Sequence, residues 1–222
     1  LAPAIAALAA TPLFGRLSQP LLTALARVAV RADYDAQQIV FFADTPDPSL
    51  YVVAQGWVKS VKAAPDGREQ TLALFGPGEV FNLAVLADVV TQATVVALEP
   101  VTLWRLERTI LLELLMADPE LARALIGSLA ARVVYLNTLV EDLALRPIEA
   151  RLARLILTQA RNGKITRRRW ATQAELAAQI GTVPDVLNRA LRNLSAAGLI
   201  TVDRRQIRII DAASLEARTQ LS

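Results

Sequence analysis

Asp185, Asn188, Arg189 and Arg192 follow one another at intervals of three or four residues counted from Asp185 or Arg189, so a helix through this stretch sets all four on one face. An arginine guanidinium pairs bidentately with O6 and N7 of guanine, and a carboxylate accepts from N4 of cytosine or orients a neighbouring arginine. Arg189 and Asp185, with Asn188 beside them, therefore carry groups that read base edges in a major groove. An ion pair between Asp185 and Arg189, one turn apart, is the plain structural alternative.

The elements that must hold these residues are legible in "TQAELAAQIGTVPDVLNRALRNLSAAGLI", from Thr172 to Ile200. Ala174 to Ile180 predicts a short amphipathic helix, Gly181 a tight turn, and Pro184 the opening of a second helix that closes near Ala197 and Gly198. On that second helix Leu187, Ala190, Leu191 and Leu194 face inward, leaving the polar stripe outside. Two helices around a glycine turn make a helix-turn-helix, whose second helix presents its N-terminal residues to base edges. Two strands follow, Leu199 to Val202 and Gln206 to Ile210, and form a wing whose Arg204, Arg205 and Arg208 suit phosphates. Thr172, Gln173, Arg192 and the Arg167, Arg168 and Arg169 run after Thr166 are further backbone contacts.

Charge agrees with this placement. Residues 1–143 hold 10 basic and 15 acidic side chains, a net of −5, whereas residues 144–222 hold 14 basic and 6 acidic, a net of +8. A basic C-terminal third on an acidic remainder is the footprint of a nucleic-acid-binding module, although a solvated basic face gives the same count. The 222 residues contain no cysteine and no histidine. That removes disulfides, iron–sulfur and haem ligation, histidine-based zinc sites and Ser-His triads. No base, nucleophile and oxyanion donor can be assembled from what remains, so neither an enzyme nor a cofactor or metal site is expected. Apolar runs such as "TILLELLM", Thr109 to Met116, are far shorter than the roughly 20 residues of a membrane span. The Ala-rich start "LAPAIAALAATPLF" has no basic leader and predicts an amphipathic helix. A soluble, cytoplasmic protein without a membrane partner is expected.

Upstream, "IVFF", "LYVVAQGWVKSVKA", "EQTLALF" and "ATVVALEPVTLWRL" are short β-branched or aromatic runs between Ile39 and Leu106, separated by Gly56, the Pro65-Asp66-Gly67 hairpin signal and Gly76-Pro77-Gly78. They predict an antiparallel barrel or roll. Asp118 and Pro119 then announce a long helix. Along it Ile126, Leu129, Val133, Leu136, Val140 and Leu143 alternate spacings of three and four, β-branched at every a position and leucine at every d. That chemistry favours a parallel two-stranded coiled coil, hence a homodimer; a second stripe of Leu121, Leu125 and Leu139 is left to pack on the roll. Pro147 breaks the helix and implies a hinge. The fold class is α+β, with residues 1–117 forming a β-roll domain with flanking helices, 118–146 the dimerisation helix and hinge, and 147–222 a winged helix-turn-helix domain.

With these motifs in place, the chain resembles the cyclic-AMP receptor protein and fumarate-nitrate regulator (Crp/Fnr) superfamily of bacterial transcription factors over nearly its whole length. "PLFGRLSQPLLTAL" is similar to the family's N-terminal helix region, "LYVVAQGWVKSVKAAPDGREQTLALFGPGEVF" to its cyclic-nucleotide-binding β-roll, and "ELAAQIGTVPDVLNRALRNLSAAGLI" to its helix-turn-helix. The resemblance implies a homodimer on a two-fold site in double-stranded DNA, RNA polymerase as a further partner, and an effector in the roll that controls the hinge. The family's usual DNA-reading Glu and Arg fall on Asp185 and Arg189. Its effector cassette departs further. Nucleotide-binding members carry Gly-Glu before an "LAL" run and then Arg-Ser-Ala. Here the cassette is one residue short around Asn82, and Thr91-Gln92-Ala93 stands in place of Arg-Ser-Ala. No cation is left for a cyclic phosphate, so control by cyclic AMP is not expected. An effector pocket, if one exists, would draw on Asn82, Leu83, Thr91, Gln92, Arg132 and Asn137, with its ligand unidentified. The alternative function is a nucleotide- or small-ligand-sensing regulatory module whose C-terminal domain docks on protein.

Overall fold

The computed structural model describes residues 1–64, 67, 69–87, 89–166, 170–203 and 206–219. It divides into two compact units, residues 1–62 with 72–134 and residues 63–71 with 135–222.

The first unit opens with helices α1 (Ala2–Ala9) and α2 (Gln19–Val28), followed by strands β1 (Val30–Tyr34), β2 (Ile39–Phe41), β3 (Ser49–Gln55), β4 (Val58–Ala63), β5 (Glu69–Phe75), β6 (Val80–Phe81), β7 (Thr94–Ala97) and β8 (Val101–Glu107). The strands form two four-stranded sheets, ordered β1-β8-β3-β6 and β2-β7-β4-β5. Runs such as "LYVV" in β3 and "TVVA" in β7 supply β-branched and aromatic side chains to a pleated surface. Tyr51, Val53, Val58, Val95, Ala97 and Leu103 from both sheets are buried together as one core. Within it Tyr51 stacks on Phe81 with ring centroids 4.9 Å apart. Gly56 makes the β3–β4 turn at φ +82, and a Cβ there would stand 2.5 Å from the Pro100 carbonyl oxygen, so the close approach needs glycine. β1, whose "VRADY" has no clear alternation, was not apparent in the sequence; it is recruited by pairing with β8 from Val30↔Arg105 to Tyr34↔Val101.

Helix α3 (Arg108–Ala117) absorbs the "TILLELLM" run and is capped by the Glu107 carboxylate. Helix α4 (Pro119–Leu145) begins at the expected proline, and Asp118 Oδ1 accepts from the Glu120 amide at 2.8 Å. Leu121 and Leu125 are buried against α1, α2 and β3, as the second stripe requires, but Leu139 is half-exposed and outside that core. By length and composition alone α4 is apolar enough to cross a bilayer, with a mean hydropathy of 1.3 over an 18-residue window.

The second unit holds α5 (Ile148–Gln159), β9 (Lys164–Thr166), α6 (Gln173–Gln179), α7 (Pro184–Ala196), β10 (Ile200–Val202), β11 (Gln206–Ile209) and α8 (Ala212–Ala217). Its core gathers Leu152, Ile156, Leu176, Leu187, Leu194, Ile207 and Leu215. The division between units falls inside α4, and side chains beyond the Pro147 break hold the end of that helix. Arg151 crosses that break from α5 and donates to the carbonyls of Leu143 (2.7 Å), Arg146 (2.9 Å) and Ile180 (3.1 Å). Arg146 meets Asp142 and Glu141, each at 2.7 Å, and donates to the Thr219 carbonyl. At the expected hinge, Arg151 thus satisfies carbonyls that the end of α4 leaves open. Residues 69–71 also belong to this unit, and Thr71 Oγ1 donates to the buried Glu175 carboxylate of α6 at 3.2 Å.

Candidate nucleic-acid interface

Thr172 caps α6 by accepting from the Glu175 amide at 3.2 Å, and Gly181 turns the chain at φ +67 toward Pro184 at the head of α7. Leu187, Ala190, Leu191 and Leu194 are buried, which rotates α7 so that Asp185, Arg189 and Arg192 are exposed. Among the described residues no ion pair joins Asp185 to Arg189, so the plain structural alternative for this pair is not realised. Asn188 Nδ2 donates to Gln173 Oε1 at 2.9 Å. That bond links Gln173, next to Thr172 at the start of α6, to the polar face of α7 that carries Asp185 and Arg189.

The wing is a three-stranded sheet, ordered β10-β11-β9, rather than a two-stranded ribbon. Its register places Arg208 between Thr201 and Lys164. Like charges directly opposite one another cost stability on a sheet, so an exposed Lys164–Arg208 pair is suited to an anionic partner. Lys164 escaped the sequence reading because β9 lies more than forty residues before β11 in the chain. Arg167, Arg168, Arg169, Arg204 and Arg205 lie outside the described residues.

Residues 31–118 match the cyclic nucleotide-binding domain family, and residues 150–218 match the Crp-like helix-turn-helix domain family. Among curated relatives, the CRP-like cAMP-activated global transcriptional regulator of Mycobacterium tuberculosis is 26% identical over 96% of this chain and 98% of its own length. The cyclic AMP receptor protein of Thermus thermophilus is 29% identical over 93% and 95%. Among solved structures, the catabolite activator protein of Thermus thermophilus is 30% identical over 94% of this chain and 98% of its own, with a TM-score of 0.53. FixK2 from Bradyrhizobium japonicum, at 22% identity over 88% and 99%, shares the fold with a TM-score of 0.78. The chain belongs to the Crp/Fnr family of transcriptional regulators. The DNA-binding match leaves the protein-docking alternative unfavoured.

In this Crp/Fnr regulator two of the six residues expected at an effector pocket, Asn82 and Thr91, are hydrogen-bonded to each other. Asn82, at φ +63, donates from Nδ2 to the Ser49 carbonyl at 2.8 Å and accepts from Thr91 Oγ1 at 2.7 Å. Leu83 starts a 3-10 turn and packs on the helical core. Gln92 Oε1 accepts from Lys62 Nζ at 3.4 Å, so a cation does stand beside the cassette; it comes from β4, thirty residues earlier, and is exposed. Arg132 lies 5.8 Å over the Phe75 ring. Burial holds the nearby Glu79 carboxyl above its ordinary value, outweighing the Gly76 N–H and the charge of Arg132, which lower it. Asn137 is exposed and falls in the other unit. A cavity of about 290 Å³ takes in Asn82 and Thr91 alone of the six.

Proposed function

We propose that this regulator acts as a homodimer joined along α4, reads a two-fold site in double-stranded DNA with Asp185, Asn188 and Arg189, and is not controlled by cyclic AMP. The observation that carries the proposal is the exposed Asp185–Arg189 face of α7, flanked by the Gln173–Asn188 bridge and by the Lys164–Arg208 pair of the wing. Ile126, Leu129, Val133, Leu136 and Val140 support the dimer, since all five are exposed in the single chain, Val140 to 64%. Burying a valine or leucine contributes roughly 1.5–3 kcal/mol, and a second copy in register covers this whole stripe. Leu143, the sixth residue of the stripe, is half-buried against the helix-turn-helix turn and contributes less. A dimer interface suits α4 better than lipid, because the same helix carries Arg132, Glu141 and Asp142. RNA polymerase is the further partner and the cytoplasm the compartment that this reading implies, with no catalysis of the protein's own.

Two relatives are named for cyclic AMP, but the groups here do not suit it. Thr91 and Gln92 are neutral, Leu83 is apolar, and Lys62 is exposed, where an ion pair contributes roughly 0–1 kcal/mol. Burying a phosphate costs several kcal/mol or more. Calorimetry at physiological salt is expected to show no micromolar binding of cyclic AMP; such binding would contradict this part of the proposal. For DNA, Arg189→Ala should lose about 1–3 kcal/mol on the selected site for each guanine contacted, with little change on random DNA. Arg208→Ala should weaken both alike and reduce the salt slope by about 0.9. Equal loss on both DNAs with Arg189→Ala would make that residue a backbone clamp.

A further inference from the structure

Val183 stands immediately before α7, in the position where a helix is capped. Ser, Thr, Asp and Asn are strongly preferred there, because a side-chain oxygen accepts from the open amides of the first turn. Valine has no such oxygen. Two other helices of the unit follow the rule: Thr172 caps α6 through the Glu175 amide, and Asp211 caps α8 through the Ser214 amide. The helix that carries Asp185 and Arg189 has no side-chain cap. Its first turn is closed by backbone bonds, with the amides of Val186 and Leu187 each 3.1 Å from the Val183 carbonyl oxygen.

Packing does not account for the valine either. Val183 is 43% exposed and lies outside the cluster of Leu187, Ala190, Leu191 and Leu194 that seats α7. Pro184 beside it is exposed as well. A lone exposed valine on an ordinary surface calls for no explanation. This one replaces a cap, two residues before Asp185, at the end of a helix-turn-helix helix whose first residues meet base edges. The backbone also holds it in place. A proline keeps the residue before it out of the helical region, and Val183 lies at φ −106 and ψ 157. Its β-branched side chain has few χ1 rotamers, and the Pro184 ring fixes the next φ. The two residues form a stiff apolar tip continuous with Asp185.

On B-DNA such a tip finds one matching group. Phosphates and the nitrogen and oxygen atoms of base edges reward charges, donors and acceptors, which the side chains of valine and proline lack. The apolar group in the major groove is the C5-methyl of thymine, and unmodified cytosine has none. We infer that the Val183–Pro184 tip reads the C5-methyl group of a pyrimidine, beside the base pairs read by Asp185 and Arg189. The inference rests on the functional reading above, in which α7 is the groove helix, and adds an apolar contact to the polar readout of that site. Burying one methyl corresponds to about fourfold in affinity, from roughly 0.8 kcal/mol per buried carbon.

Deoxyuridine, which lacks only the methyl of thymidine, tests it in anisotropy titrations of the full chain on the site selected from random duplexes. Each thymine is replaced in turn. At one thymine of each half-site the wild type is expected to lose about fourfold. Val183→Ser combined with Pro184→Ala should bind the two duplexes equally, and Val183→Ile, which keeps the tip apolar, should retain the loss. Serine supplies the missing cap, and thermal unfolding checks that each variant is folded. A duplex with 5-methylcytosine at that position separates the two sources of the group. Binding as tight as to thymine means that the methyl alone is read, and binding as weak as to cytosine means that thymine is the base selected. Half-sites without thymine, no loss with deoxyuridine at any position, or an equal loss in the wild type and the double variant overturns the inference. Arg189→Ala on the same duplexes distinguishes the two readings. If it flattens a base preference while deoxyuridine has no effect, only this inference fails; if selection enriches no sequence, the functional reading fails and takes the inference with it.

Discussion

Replacing Gly181 with alanine perturbs one backbone angle and the side-chain contacts at the turn before α7. Gly181 has φ +67, a conformation that costs an L side chain roughly 1–2 kcal/mol. The new Cβ would stand 2.6 Å from Leu143 Cδ2 and 2.8 Å from Gln70 Oε1. Both are ends of flexible side chains, so they move aside, and forcing Leu143 off its rotamer costs roughly 0.5–1.5 kcal/mol more. A loss of about 1.5–3.5 kcal/mol in the unfolding of the second unit is expected from these two parts together. Urea denaturation followed by far-ultraviolet circular dichroism measures it. Gly181→Asn, which tolerates the left-handed region, should recover part of the backbone cost. In a Leu143→Ala background the alanine penalty should shrink to the backbone part alone. Penalties equal in both backgrounds, within about 0.5 kcal/mol, would refute the packing of Leu143 on the turn. No penalty in either would refute the left-handed turn itself.

The remaining predictions concern the dimer and one carboxyl. Val133→Glu together with Leu136→Glu should give a monomer in sedimentation equilibrium, since each places a charge in the proposed seam; a variant that stays dimeric removes α4 as the interface. Burial raises the Glu79 carboxyl, so the folded state binds its proton more tightly than the unfolded state does. Stability from this group is therefore full below the ordinary carboxylate value and falls as pH rises through the raised one. Glu79→Gln should remove that slope and raise Tm at pH 7, and an unchanged slope would show that the carboxyl is not desolvated.

Much of the DNA-binding unit was legible because its signals are local. Gly181, Pro184 and the apolar spacing of Leu187, Ala190, Leu191 and Leu194 lie within one short stretch, and the structure places all of them as read. The start of α4 was legible for the same reason, from Asp118 and Pro119. What the sequence hid depends on contacts between distant segments. Lys164 joins Arg208 only through the β9–β11 register, and Lys62 of β4 reaches Gln92 only because β4 pairs with β7, which begins two residues after Gln92. Leu143 fits a d position by spacing, yet Gly181 supplies a neighbour within the same unit that the heptad pattern could not register. Arg132, read as a cation for an effector, lies 5.8 Å over the Phe75 ring, a contact between distant segments that spacing does not show.

The central claim is sequence-specific reading of a two-fold DNA site, and selection of bound sites from random duplexes tests it most directly. Two α7 helices on a two-fold dimer enter successive major grooves about 34 Å apart. The account predicts an enriched near-palindrome with half-sites centred roughly 10 base pairs apart, in which Arg189→Ala flattens the preference at one base pair of each half. Enrichment of no sequence, or of a single half-site with no two-fold partner, would contradict it.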